Sequence, residues 1–346
     1  MFGNGGLDKF IALPENRFWQ RMGNELRQNL DGEGFPPGIS VVVPVYNSEG
    51  TLAELVGRLE KVLSANAGAF EVILVNDGSR DGSWRVVGEL SAKYPWVRGL
   101  DLMRNYGQHN ALLCGIRLAR FEVVVTLDDD LQNPPEEIPV LLAKLKEGLD
   151  VVYGKPEALH HGLWRDLASQ ITKAVLKGAM GADTARNISA FRAFRTILRE
   201  AFATYRSPFV SIDVLLTWGT TRFAAVAVKH EARAVGKSNY TLRKLLVHAM
   251  NMVTGFSTWP LQLASFIGFG FTVLGIVVLL VVVARYLMDP SKSVQGFPFL
   301  ASIIAIFAGA QLFALGVIGE YLARLHFRTM DRPAYAVRER TVEREA

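Results

Sequence analysis

The sequence predicts an α/β domain with a mostly parallel sheet, followed by a helix at a membrane interface and two membrane-spanning helices. Three observations carry this reading. From Ile39 onward, apolar β-branched runs of strand length alternate with stretches of helical spacing, the pattern of a parallel sheet with crossover helices. Each of the first four runs ends in a polar cluster, and open α/β sheets bind ligands at the carboxyl ends of their strands. Near the C-terminus, residues 261–287 are almost wholly apolar and 297–322 nearly so, and each stretch exceeds the ~20 residues needed to cross a bilayer.

Composition narrows the setting. The 346 residues leave room for one large domain or two smaller ones, and half are hydrophobic, an excess concentrated in the two C-terminal stretches. A formal net charge of +5 fits a membrane surface or phosphate-bearing substrates. The basic, aromatic-interleaved motifs of known nucleic-acid modules do not occur. The single Cys114 excludes an intrachain disulfide and a cysteine-based zinc site, and its apolar neighbours make it a small core residue rather than a nucleophile. The N-terminus lacks the apolar core of a secretory signal, so none is expected.

Residues 1–37 read as an extension, partly helical, ending in a Gly- and Pro-rich linker. Strands are expected over 39–45, 70–75, 97–102, 122–127 and 150–153. Helices are expected over 51–63, 82–93, 108–120 and 135–147. Beyond Gly154 the pattern loosens, with a helix expected over 163–177 and strands over 188–195 and 223–229. Residues 239–257 place Leu242, Leu245, Leu246, Met250 and Val253 at helical spacing with Arg243, Lys244 and His248 between them. That stretch is either an interfacial helix or an ordinary surface helix of the domain. Trp259, Tyr286 and Tyr321 stand near the span ends, as interfacial aromatics do. Lys229, Arg233, Lys237, Arg243 and Lys244 precede the spans and Arg324, Arg328 and Arg332 follow them, whereas the connector side offers Arg285 and Lys292. The positive-inside rule then puts both flanks, and the α/β domain, in the cytoplasm. In the charged tail, residues 334–337 are a candidate short strand. The organisation expected is an extension (1–37), the α/β domain (38–238), an interfacial helix (239–258), a hairpin of two spans (259–323) and a tail (324–346).

The strand over 122–127 ends in Asp128, Asp129, Asp130, Leu131 and Gln132 before Asn133, Pro134 and Pro135. Adjacent carboxylates at the end of a buried strand repel one another, and a divalent cation relieves the conflict. Mg²⁺ and similar hard ions take oxygen ligands and fill other positions with water and substrate phosphates. If the chain stays extended, Asp128, Asp130 and Gln132 share one face. The alternative is an acidic loop that caps the next helix.

Together these stretches resemble glycosyltransferase family 2, the GT-A (Rossmann-like) fold, over about residues 38–240. The resemblance rests on residues 40–47 (SVVVPVYN), 75–83 (VNDGSRDGS) and 127–135 (LDDDLQNPP), in order at strand ends. Asp128, Leu131 and Gln132 with two C-terminal spans narrow it to the polyprenyl-phosphate glycosyltransferases. Residues 104–111 (RNYGQHNA) and 236–242 (GKSNYTL) are similar to members that load a formamido-arabinose onto undecaprenyl phosphate. The resemblance implies transfer of one sugar from a nucleotide-sugar, UDP favoured over GDP, to a polyprenyl phosphate. It implies inversion, with Mg²⁺ or Mn²⁺ as cofactor, at the cytoplasmic face of a bacterial inner membrane. A cell-envelope or lipid A pathway and a homotetramer follow from the same likeness.

The expected roles combine this likeness with the chemistry of the residues. Asp128 and Asp130 are the catalytic carboxylates, and with Gln132 they are the metal ligands that offset charge on the departing diphosphate. By likeness, Asp128 is alternatively a contact to the nucleotide ribose. Pro44, Tyr46, Asn47, Asp77, Gly78, Ser79, Arg104, Asp128, Asp129 and Arg192 are the nucleotide-sugar residues. Asp77 is suited to accept a base N–H or is simply a turn-former. Lys237, Ser238 and Arg243 are the lipid-phosphate residues. His109 is a sugar contact or a structural hydrogen-bond partner. The family often places Glu directly after the Tyr-Asn pair. Here Ser48 stands there and Glu49 follows, which weakens a nucleotide role for Glu49. Two alternatives compete. A processive polysaccharide synthase carries a Gln-x-x-Arg-Trp motif absent here, and a non-catalytic membrane scaffold would have lost the acidic cluster, which is intact.

Overall fold

A computed structural model describes residues 35–156, 188–231, 259–288, 297–330 and 332–341. Expected elements over 163–177 and 239–257, and Lys237, Ser238 and Arg243, lie outside the described residues. The chain forms two compact units, Met1–Asn239 with Pro333–Ala346, and Tyr240–Arg332.

In the first unit, the elements begin with β1 (Ile39–Val45), α1 (Leu52–Asn66), β2 (Phe70–Asn76), α2 (Ser83–Lys93), β3 (Val97–Leu102), α3 (Gln108–Leu118) and β4 (Val123–Thr126). A 3₁₀ turn at Pro135–Glu137 leads into α4 (Ile138–Leu145), then β5 (Val151–Pro156) and β6 (Arg192–Arg195). A 3₁₀ segment at Thr196–Phe202 precedes α5 (Ile212–Gly219) and β7 (Phe223–Val228). The described strands form one sheet in the order β7-β5-β6-β4-β1-β2-β3-β8, where β8 is Val337–Arg340. Its centre, β3-β2-β1-β4, is parallel. β6 runs antiparallel between β4 and β5, and β8 is antiparallel to β3. The sheet is therefore mixed at its flanks rather than parallel throughout.

Every residue of β1 is buried, as expected of a strand covered on both faces. In α1, Leu52, Leu55, Val56, Leu59, Val62 and Leu63 repeat at helical spacing and are the buried face. Helix α3 lies close on β1. A Cβ at Gly115 would meet Val42 Cγ1 at 2.4 Å, so glycine permits the approach. At the amino ends of the strands, Ser40 Oγ donates to Glu71 Oε1 (2.8 Å), and Arg98 pairs with Glu71 Oε2 (2.8 Å). The Arg120 N–H donates to Glu71 Oε1 at 2.7 Å. The polar groups of this edge are satisfied by one another, and the polar clusters that end the strands lie at the opposite edge.

The tail strand begins at Val337 rather than 334. Just past β3 the Met103 N–H donates to the Ala336 carbonyl at 2.9 Å, and Leu102 pairs with Val337, so pairing sets the start of the strand. In the second unit, α6 (Trp259–Met288) and α7 (Phe297–Thr329) are each long and apolar enough to cross a membrane. The Phe271 and Phe307 rings meet edge to face at 5.7 Å. Phe266 and Leu312 remain 73% and 70% exposed.

Candidate active site

Four loops after β1, β2, β3 and β4 enclose a cavity of about 210 Å³ at the carboxyl edge. Its wall consists of Pro44, Val45 and Tyr46; Asp77; Asn105, Gly107 and Gln108; and Asp128, Asp129 and Asp130. The strand order brings them together, because β4, β1, β2 and β3 are successive neighbours.

Asp77 is buried, and its carboxylate holds the next loop. Oδ1 accepts the Tyr106 N–H at 2.7 Å and Oδ2 the Gly107 N–H at 2.9 Å. Burial pushes its pKa up to about 6 against the opposing pull of those two bonds. Gly107 has φ +95°, which favours glycine. Gly78 has φ +66°, and a Cβ there would lie 2.6 Å from Arg104 C and Asn105 N. The β2 loop therefore presses directly on the β3 loop.

Asp129 ties the β4 loop to the β1 loop. Its Oδ2 accepts the Tyr46 N–H at 3.0 Å and the Ser48 hydroxyl, while its carbonyl accepts Thr51 Oγ1 at 2.7 Å. Burial raises its pKa; hydrogen bonds from Ser48 and Tyr46 lower it, and the neighbouring Asp130 charge raises it further. Tyr46, 41% exposed, presents an aromatic side chain at the wall.

Asp128 and Asp130 both line the cavity. Asp128 Oδ1 accepts Gln108 Nε2 at 2.5 Å, and Asp130 Oδ1 accepts the Gln132 N–H at 3.1 Å. The chain does not stay extended past Leu127. It turns at Asp129 and Asp130, and Leu131 has φ +61°. The alternation expected to align Gln132 with the two carboxylates is thereby broken. Gln132 is not on the wall, and its carbonyl accepts the Glu231 N–H.

Other expected residues stand behind the wall. The Asn47 N–H donates to Ser79 Oγ (3.0 Å), and Asn47 Oδ1 accepts the Arg80 N–H (2.8 Å). Asn47, Gly78 and Ser79 thus join the β1, β2 and β3 loops. The Arg104 guanidinium lies 4.8 Å from the Tyr106 ring centroid, off the wall. Arg192 is 1% exposed, paired with Asp213, and donates through Nε to Thr126 Oγ1 at 3.2 Å. The structure does not bring it to the cavity, because β6 is inserted between β4 and β5 and α5 supplies its carboxylate from the interior. His109 Nδ1 accepts the Ile212 N–H at 3.3 Å, a structural contact. Glu49 accepts the Gly82 N–H (3.0 Å) and pairs with Arg85 (2.7 Å), holding the start of α2.

Asn105, Gly107 and Gln108 are wall residues to which sequence reasoning gave no role. Their position directly after β3, on the edge already marked by the other three clusters, was the available signal. Ser48 and Asp129 as a structural tie had no local signature, because they meet across more than eighty residues.

The pattern of the family described as Glycosyl transferase family 2 matches residues 40–203. The chain is 34% identical over 304 residues to an undecaprenyl-phosphate 4-deoxy-4-formamido-L-arabinose transferase of Shewanella sediminis, covering 87% of this chain and 92% of that one. It is 35% identical over 306 residues to the protein of the same name from Pseudomonas paraeruginosa, covering 88% and 90%. A crystal structure of glucosyl-3-phosphoglycerate synthase from Mycobacterium tuberculosis with Mn²⁺, UDP-glucose and phosphoglyceric acid shares 19% identity, with a TM-score of 0.47 over 67% of this chain and 81% of that one. The family match and these relatives make the protein a glycosyltransferase. The chain belongs to glycosyltransferase family 2.

Proposed function

We propose that this protein moves one sugar from a UDP-sugar to undecaprenyl phosphate, inverting the anomeric carbon. The observation that carries the proposal is the convergence of Tyr46, Asp77, Asp128 and Asp130 on one cavity. It is joined by 34–35% identity to undecaprenyl-phosphate sugar transferases along 87–88% of the chain. Tyr46 offers a stacking face for the nucleotide base. Asp77, whose oxygens keep lone pairs beyond the two backbone bonds, accepts a base N–H. Asp128 and Asp130 suit Mg²⁺ or Mn²⁺, since such ions are held by one or two carboxylates with substrate phosphates and water. A divalent ion there supplies charge stabilisation to the leaving diphosphate. Gln108 holds the Asp128 carboxylate in place.

In the reaction, an oxygen of the lipid phosphate bonds to the anomeric carbon as the bond to the nucleoside diphosphate breaks. The acceptor oxygen is largely anionic near neutrality, because the second pKa of a phosphate monoester is about 6. No strong general base is needed, and catalysis rests on alignment and charge stabilisation. Lys237, Ser238 and Arg243 are proposed to take the lipid phosphate. The α/β unit is assigned to the cytoplasmic side of a bacterial inner membrane. Strand β8 follows both spans yet pairs with β3, which precedes them, so a membrane route between them crosses an even number of times. A homotetramer and a role in lipid A or cell-envelope modification complete the reading.

The test incubates purified protein in detergent with undecaprenyl phosphate, Mg²⁺ or Mn²⁺ and a panel of UDP- and GDP-sugars headed by UDP-4-deoxy-4-formamido-L-arabinose. Release of nucleoside diphosphate should require the lipid and one donor. It should stop on chelation with EDTA and resume with excess Mg²⁺. A folded protein that releases nothing with any donor overturns the proposal.

A further inference from the structure

The C-terminal tail carries more contacts to the β3 end of the cavity than a stray terminus requires. The Arg338 guanidinium reaches two groups through two nitrogens, Asp101 Oδ2 at 3.3 Å and the Met103 carbonyl at 2.8 Å. The Met103 N–H donates to the Ala336 carbonyl at 2.9 Å. Both polar groups of the Met103 backbone are thus held by the tail, one residue before the loop that supplies Asn105, Gly107 and Gln108 to the wall. Asp101 is 3% exposed, and its other oxygen accepts Asn76 Nδ2 at 2.6 Å. Asn76 directly precedes Asp77, which grips Tyr106 and Gly107. Arg338 therefore fixes the base of the β3 loop and, through Asp101, the strand end that carries the residue gripping its tip.

The rest of the strand docks by a separate set of contacts. The Thr341 N–H donates to the Gly99 carbonyl at 3.0 Å, and the Gly99 N–H donates to Thr341 Oγ1 at 2.8 Å. A Cβ at Gly99 would fall 2.8 Å from Thr341 Cγ2, so that glycine leaves room for the tail. These contacts lie mid-strand on β3, away from the carboxyl edge.

We propose that Arg338 is a positioning residue for the donor nucleotide, acting through Asp101 and Met103 on the loop after β3. The inference rests on the nucleotide reading of the cavity given above. Lysine, a single point charge, cannot span both partners as the guanidinium fork does. The test uses the full chain in detergent and measures UDP and GDP affinity with Mg²⁺ by calorimetry, donor KM and kcat, and thermal stability. The variants are Arg338→Ala, Arg338→Lys and Thr341→Val. Arg338→Ala should weaken nucleotide binding and raise donor KM about five- to tenfold, the worth of about one ordinary hydrogen bond, with kcat nearly unchanged. Arg338→Lys should recover only part of this. Thr341→Val should lower the melting temperature with unchanged nucleotide affinity, separating tail docking from positioning. Equal nucleotide affinity in wild type and Arg338→Ala overturns this inference alone. So does a loss in Thr341→Val as large as that in Arg338→Ala. Wild-type protein that binds neither nucleotide overturns the donor reading and this inference with it.

Discussion

Asp77 Oδ2 accepts the Gly107 N–H at 2.9 Å, linking the loop after β2 to the loop after β3 across the candidate donor cavity. With Oδ1 on the Tyr106 N–H, the carboxylate acts as a two-point clamp. Its pKa rises from 3.8 to about 6, so between these values the folded protein holds a proton that the unfolded chain does not. The contribution of this group to stability is fully present below about pH 4 and is lost as pH rises through about 6. Asp77→Asn should flatten that part of a melting-temperature profile against pH. In the wild type, UDP affinity measured by calorimetry should fall as pH drops below about 6, where the clamp becomes protonated.

Asp129 and Asp130 are adjacent but should respond differently to substitution. Asp129→Ala removes the one oxygen that accepts both the Tyr46 N–H and the Ser48 hydroxyl. This should cost about 1–3 kcal/mol in urea unfolding. Asp130→Asn keeps an oxygen for the Gln132 N–H and should leave unfolding unchanged. It should reduce lipid-dependent nucleoside diphosphate release by about a hundredfold or more, the scale for losing one group that stabilises transition-state charge.

The buried Arg192–Asp213 pair should matter to stability more than to donor binding. Both side chains are buried, and Tyr153 Oη donates to Asp213 Oδ1 at 3.1 Å. Arg192→Ala should destabilise by about 3–5 kcal/mol, the usual consequence of leaving one buried charge unpaired. Replacing both members together with Met and Leu should recover much of that loss. Nucleotide affinity, measured under conditions where each variant is folded, should stay near the wild-type value.

The proposed topology is checked by labelling. Cys114 is buried and its thiol is pushed up to about 12 by that burial, so it gives little background. Lys292→Cys, between the spans, and Glu343→Cys, in the tail, should react with a membrane-impermeant maleimide from opposite sides of sealed vesicles. Reaction from the same side would contradict a two-span hairpin.

Local chemistry made much of the fold legible. β1 and β3 match their expected boundaries, and β2 and α2 differ by one residue, because alternation and helical spacing are properties of neighbouring residues. Helix α5 and the 3₁₀ segment before it were missed. They are short, and their burial depends on packing against each other and α3. Arg192 shows the limit most clearly. Its strand was readable, but its partner comes from Asp213 on a different element, so its removal from the cavity was not.

By itself, the sequence determined the strands at the centre of the sheet, which strand ends carry polar clusters, and that two stretches suit a bilayer. Those features depend on side-chain size, polarity and spacing within one segment. Only the tertiary structure decided that four carboxylates share one wall and that Asp77 and Asp129 also hold the loops together. It also decided that the backbone leaves the extended path before Gln132 and that the tail pairs along β3. These outcomes depend on hydrogen bonds between segments from about thirty to more than two hundred residues apart, and partners at such separations are chosen by strand order, not by local pattern.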